Sequence, residues 1–128
     1  MSQVGSKMML SGWPGKLGIP TMEILTRIKR LILRGDYKFT LKARDEMDLE
    51  DITELEVAEA IMNAHRIDKV LRSQSHYRGA TSERLYIIKG LTLANRLLYT
   101  KGKITRDTDE SGEEHEMFYI LISAKELT

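Results

Sequence analysis

Tyr99-Thr100-Lys101 places a phenol and an ammonium two residues apart, a spacing that puts both on one face of a β-strand. A tyrosine among cations suits work on a phosphodiester. Metal-free cleavage of RNA needs a base to take the 2′-hydroxyl proton, cations to hold charge on the phosphorane-like transition state, and an acid to protonate the leaving 5′-oxygen. The product would carry a 2′,3′-cyclic phosphate. Arg84, Lys89, Arg96, Lys101 and Lys125 are the candidates for holding phosphate, and His76, beside Tyr77 and Arg78, is the histidine inside the basic stretch with a side chain suited to proton transfer. Each of these residues also has a plain reading, as a solvated charge or a packed aromatic. Their convergence is what favours a site.

The charge distribution points the same way. Residues 65–106 carry ten Lys or Arg against two acids, whereas residues 45–60 carry eight acids and no base, a split hidden by the net charge of +1. A segregated cationic stretch suits an anionic partner such as nucleic acid. With 128 residues and 41% hydrophobic content, the chain is expected to form one domain over 21–128. The absence of cysteine excludes disulfides and thiolate metal sites. No apolar run approaches the roughly 18 residues of a membrane span and the N-terminus has no signal-peptide core, so no membrane association and a cytoplasmic location are expected. Residues 1–20 mix Gly, Ser and Pro without periodicity and read as a flexible leader.

The elements that would position the candidates follow from periodicity. Thr21 is placed to cap a first helix, with Glu23 in its first turn and Ile24, Leu25, Ile28, Leu31 and Ile32 forming one stripe that ends at Gly35. Arg27, Arg30 and Arg34 lie opposite, on a solvated face. After the extended residues 36–39, a short helix is expected from Thr40 to Met47, capped by Thr40 and anchored by Leu41 and Met47. Thr53 and Glu56 form a capping box for a third helix, whose apolar face is Val57, Ala58, Ile61 and Met62. Its acids, Glu54, Glu56 and Glu59, are expected to face water or a basic partner.

From residue 67 onward, short apolar runs predict four strands, over 67–72, 84–89, 93–101 and 117–124, paired antiparallel because their connections are short. The acidic stretch 106–116, containing His115, reads as a mobile loop. Period two assigns Phe118, Ile120, Ile122 and Ala124 to the face packed on the helices, and Tyr119, Leu121, Ser123 and Lys125 to the other. The fold class expected is α+β, with two or three N-terminal helices on a four-stranded antiparallel sheet.

The strings IKRLILRGDYKFT (28–40), IDKVL (67–71), Tyr99-Thr100-Lys101 and ILISAKE (120–126), in that order over about 100 residues, resemble the MqsR-type toxins. These are small bacterial ribonucleases of the RelE-like superfamily that cleave messenger RNA without a metal or cofactor. The segments FTLKARDEM (39–47) and DITELEVAEAI (51–61) are also similar to a family of small bacterial domains marked by a His-Ala-x-x-Arg-Met helix, proposed to belong to the same superfamily. Here Lys42 stands at that family's His and Glu46 at its Arg. The resemblance implies a catalytic lysine at Lys69 and a catalytic tyrosine at Tyr99. TSERL (81–85) offers no counterpart to the toxins' glutamine. It also implies two partners, RNA and a cognate protein antitoxin, and makes the leading expectation a metal-independent endoribonuclease toxin of a type II toxin-antitoxin system. A non-catalytic nucleic-acid-binding domain, or a protein-interaction module working through the acidic 45–60 stretch, are the alternatives.

Overall fold

Local signals set the three helices found among the described residues. The computed structural model describes residues 21–73 and 83–128. The segment 1–20 and His76 lie outside the described residues. Helix α1 (Thr21–Arg34) buries Ile24, Leu25, Ile28, Leu31 and Ile32. Thr21 is already helical rather than the capping residue. The helix ends in a Schellman closure, in which the Gly35 N–H donates to Ile32 and the Asp36 N–H to Leu31.

Helix α2 (Leu41–Glu50) starts at Thr40, whose hydroxyl accepts from the Ala43 N–H. Its anchors are Ala43 and Met47; Leu41, expected to be buried, is exposed because it lies on the opposite side of the helix. Helix α3 (Glu54–Asn63) has the full capping box between Thr53 and Glu56 and buries Val57, Ala60 and Ile61. Lys29 of α1 donates to the carbonyls of Met62 and Ala64 at 2.9 and 2.6 Å, tying α1 to the C-terminal end of α3.

The strands are β1 (Tyr37–Phe39), β2 (Lys69–Ser73), β3 (Glu83–Leu91), β4 (Leu97–Thr108) and β5 (Glu114–Glu126). They form one sheet in the order β1-β5-β4-β3-β2. β1 runs parallel to β5 and every other pair is antiparallel. The α+β class stands, and the expected four-stranded antiparallel sheet is corrected to five strands with one parallel pair. β1 is too short to show a sequence period, so the extended 36–39 stretch gave no sign of its pairing.

Three strands, β3, β4 and β5, are longer than expected. Residues 93–96 form the turn before β4, where the Thr92 N–H donates to the Arg96 carbonyl and Asn95 takes a left-handed conformation with φ 69°. The acidic 106–116 stretch is not a loop throughout. β4 and β5 stay paired to Thr108 and Glu114. The connecting turn is organised by the Asp109 carboxylate, which accepts from the Ser111 hydroxyl at 2.6 Å and the backbone N–H groups of Ser111 and Glu113, and meets His115 Nε2 at 2.7 Å.

From Phe118 to Leu121 the faces of β5 are the reverse of those expected, whereas Ser123, Ala124 and Lys125 lie on the faces expected. Tyr119, Leu121 and Ser123 are buried, while Phe118, Ile120 and Ile122 are half-buried. The cause is a bulge, since Lys101 pairs with Ser123 and Gly102 with Leu121, leaving Ile122 as an extra residue. Ala124 thereby shares the helix-packed side with Tyr119 and Leu121, together with Leu98 and Ile104 of β4 and Tyr86 and Ile88 of β3.

Helix α2 takes over where β1 stops. β1 pairs only with residues 119–121 of β5, and Thr40 then donates its N–H to Leu121. Farther along the same edge, Glu46 accepts from the Ala124 N–H at 3.2 Å and the Ser123 hydroxyl at 2.7 Å, and Glu50 accepts from the Glu126 N–H at 2.7 Å. Lys42 stands 3.0 Å from Glu46. Burial pushes the Glu46 carboxyl up, but the bonds from Ser123, Lys42 and Ala124 outweigh it and hold it down at about 2.

Two glycines mark close approaches. A Cβ on Gly102 would lie 2.6 Å from the Tyr119 ring, and one on Gly90 would run into the carbonyl of Ala60, where α3 rests on β3. Gly102→Ala is expected to cost about 1–3 kcal/mol in urea denaturation and Gly90→Ala more, because a helix backbone yields less than a ring. Glu46 contributes stability that is present above the ordinary carboxyl pKa of 4.5 and is lost as pH falls toward about 2. Glu46→Gln should be less stable at pH 7, and its denaturation midpoint should fall less steeply than the parent's between those two values.

Candidate nucleic-acid interface

Pairing register assembles the candidates. Residues opposite one another in a ladder share a sheet face, and one row reads Lys89, Tyr99, Lys125 across β3, β4 and β5. The adjacent row reads Lys69, Ile87, Lys101, Ser123 across β2 to β5. Tyr99 and Lys101 therefore do share a face, with a lysine on each side of the tyrosine. Lys38, opposite Ile120, and Lys103 belong to the same face. None of these residues belongs to the core cluster, which takes its sheet members from the other side. The helices cover that other side.

The lysines differ in their surroundings. Lys89 lies 3.4 Å from Asp68, Lys125 lies 3.6 Å from Glu46, and Lys103 is held by Glu83 at 3.0 Å. Lys38 sits over the Phe118 ring, 4.3 Å from its centroid. Lys69 and Lys101 have no ion pair among the described residues. Tyr99 and Lys101 are half-buried, and Ile87 between the lysines is only 7% exposed. The face thus has an apolar floor with ammonium groups standing around it.

Arg96 and Arg84 are placed elsewhere. Arg96 lies on the turn into β4 and reaches under the helices, where its Nε and Nη2 donate to Glu126, its Nη1 to Glu56 and the Asp51 carbonyl, and its Nη2 to the Glu50 carbonyl. All five N–H groups of the guanidinium are engaged, leaving none for a phosphate. Hydrogen bonds from Glu126 and then Glu56 push its pKa up, so it stays charged. Arg84 is exposed at the far end of β3, opposite Arg72 and in line with the helix-packed face.

Sequence reading overlooked Lys38 and Lys103, because β1 was not seen as a strand and β4 was ended at Lys101. His65, expected at the end of the third helix, follows the α3 C-cap Ala64 and with Arg66, Asp68, Lys89 and Leu97 lines a depression of ≈ 450 Å³ beside the Tyr99 row. Neutral imidazole both gives and accepts a hydrogen bond, so His65 adds a group for base or sugar contacts. Among the described residues, no three His, Asp or Glu side chains gather as a metal ion would require. No helix among them is long and apolar enough to cross a membrane.

The five glutamates of 45–60 have internal partners. Glu46 and Glu50 serve the β5 edge, Glu54 pairs with Arg44 at 2.8 Å, Glu56 serves the capping box and Arg96, and Glu59 accepts from the Leu93 N–H. Lys42 and Glu46 are bonded to each other.

Arg96→Lys removes the forked geometry that joins Glu56, Glu126 and the end of α2 while keeping the charge. It should melt at a lower temperature than the parent and leave nucleic-acid affinity unchanged, whereas Arg84→Ala, with no ion pair among the described residues to lose, should melt at the parental temperature. Protein-family models, curated proteins and solved structures hold no match to this chain, which leaves register and side-chain chemistry as the guides to its function.

Proposed function

We propose that the sheet face opposite helices α1–α3 binds RNA and that this chain is a metal-independent endoribonuclease of the RelE/MqsR type, a toxin held in check by a protein antitoxin. The observation that carries the reading is the Lys89-Tyr99-Lys125 row, with Lys69 and Lys101 in the row beside it. The Lys69 and Lys101 ammonium groups, with no ion pair among the described residues, are available to phosphate oxygens, and the half-buried phenol of Tyr99 can stack on a base or exchange a proton.

In the proposed reaction the 2′-hydroxyl gives its proton to water as the 2′-oxygen attacks phosphorus. Lys69 and Lys101 stabilise the charge gathered on the non-bridging oxygens. The bond to the 5′-oxygen breaks, the Tyr99 phenol gives its proton to that oxygen and regains one from water, and the products are a 2′,3′-cyclic phosphate and a free 5′-hydroxyl. Lys89 and Lys125 hold the flanking phosphates. The acidic stretch gives little support to a protein-interaction module working through it, since its glutamates are bonded within the fold.

Induced alone in a bacterial host, the chain should arrest growth and release RNA fragments ending in cyclic phosphate. Tyr99→Phe should slow cleavage of a model oligoribonucleotide by about 100-fold or more, in line with loss of a proton-transfer group. Lys89→Ala and Lys125→Ala should each reduce the slope of log affinity against log salt by about 0.7. RNA binding without any cleavage would replace the enzyme reading with that of a nucleic-acid-binding domain, and no binding at low salt would remove both.

A further inference from the structure

The ladder between β3 and β4 ends early. It runs from Leu91 opposite Leu97 only as far as Tyr86 opposite Gly102. β2 nevertheless stays on β3 to Ser73 and Glu83, and β4 stays on β5 to Thr108 and Glu114. The two hairpins therefore part beyond Gly102, and the sheet forks. The fork holds a depression of ≈ 440 Å³, lined on one side by Glu83, Arg84 and Tyr86 and on the other by Lys103, Ile104, Thr105 and Arg106.

Hydrogen-bond parity identifies which backbone groups face it. The Thr92 N–H donates to the Arg96 carbonyl, so the hydrogen-bonded positions of this ladder fall on even residues, through Gly102 opposite Tyr86. Ile104 and Arg106 are the next such positions on β4, and Arg84 on β3. Among the described residues the ladder does not pair them. A strand edge of this kind presents alternating donors and acceptors at two-residue intervals, a template for one more main chain.

The side chains select the occupant's charge. Three cations line the fork against a single acid, Glu83, which is bonded to Lys103. Arg106 lies 3.7 Å from Glu116, a carboxylate it shares with Arg27. Arg84 has no ion pair among the described residues. RNA could meet the cations, but it has no alternating N–H and C=O groups to offer the open edge, whereas an extended acidic peptide satisfies both. We propose that the β4 edge from Lys103 to Arg106 docks an extended acidic segment of a protein partner, added as a strand within the fork. This surface is separate from the Tyr99 row, and either reading can fail without the other.

The test is titration of the ¹⁵N-labelled full chain with a capped hexapeptide of alternating Glu and Thr. The amides of Ile104 and Arg106 should exchange with solvent at least about tenfold more slowly at saturating peptide, and Arg84→Glu should weaken binding by about tenfold, a charge-assisted contact's worth. The same peptide N-methylated at alternate nitrogens, and its Lys-for-Glu counterpart, should not bind. Unchanged exchange at those two amides would overturn the proposal, as would equal binding of the N-methylated peptide. Protection of the same amides by oligouridylate in place of the peptide would also overturn it and assign the fork to nucleic acid.

Discussion

The edge of β5 is the constraint on which the rest of the molecule depends. β1 supplies three residues of parallel pairing and then must leave, because Thr40 is both the last residue bonded to β5 and the cap of α2. The N–H groups of Ala124 and Glu126 would be left without strand partners. An unpaired amide at a buried or aggregation-prone edge is costly. Glu46 and Glu50 accept from these two N–H groups. The match is geometric: four residues along a helix rise about 6 Å, close to the roughly 6.6–6.8 Å between alternate residues of a strand. Carboxylates one helical turn apart thus stand in for the carbonyls of a missing strand. Arg96 then fixes the other end of the same helix by donating to the carbonyls of Glu50 and Asp51, while its remaining N–H groups hold Glu56 of α3 and Glu126 of β5.

This arrangement converts a split along the chain into a split in space. Glu46 and Glu50 are drawn to the β5 edge and Glu56 to Arg96, on or beside the helical layer. The lysines of β2 to β5 stand on the other side of the sheet. Only Lys125, nearest the edge, comes within 3.6 Å of Glu46. The sheet keeps most of the opposite charges from neutralising one another, and a chain of net charge +1 carries a cationic face.

What the sequence made legible was local. The capping box of Thr53 and Glu56, the apolar stripe of α1 and the shared face of Tyr99 and Lys101 each rest on residues within a few positions of one another, and each is found. The orientation of β5 was not legible, because both alternating sets, Phe118-Ile120-Ile122 and Tyr119-Leu121, are apolar. The choice was made by Gly102 across the ladder, which leaves room for the Tyr119 ring, and by the bulge at Ile122. Likewise nothing local marks Arg96 as a clasp. Its partners are 30 to 46 residues away in sequence, so to a reader of the chain it looks like any other arginine of the basic stretch. The polarity of 106–116 suggested a loop because that hairpin extends past the core, where strand residues have no apolar layer to face.

Among the described residues no helix lies over the lysine face, as in a two-layer domain in which one side of a mostly antiparallel sheet meets solvent. A purely solvated face would alternate polar residues across its whole width, yet this one keeps Ile87 nearly buried and Leu71, Leu85, Ile120 and Ile122 half-covered. Long lysine stems can lie over such a floor while their ammonium groups stay in water, which lets the face remain apolar at its base and charged at its rim. That combination suits a ligand that is itself divided into flat apolar rings and a charged backbone. It also bears on Tyr99, whose ring shares that floor while the ammonium groups of Lys89 and Lys125 flank it. A phenol so placed offers an aromatic face and flanking cations together, which neither a bare cationic patch nor a bare aromatic one could do.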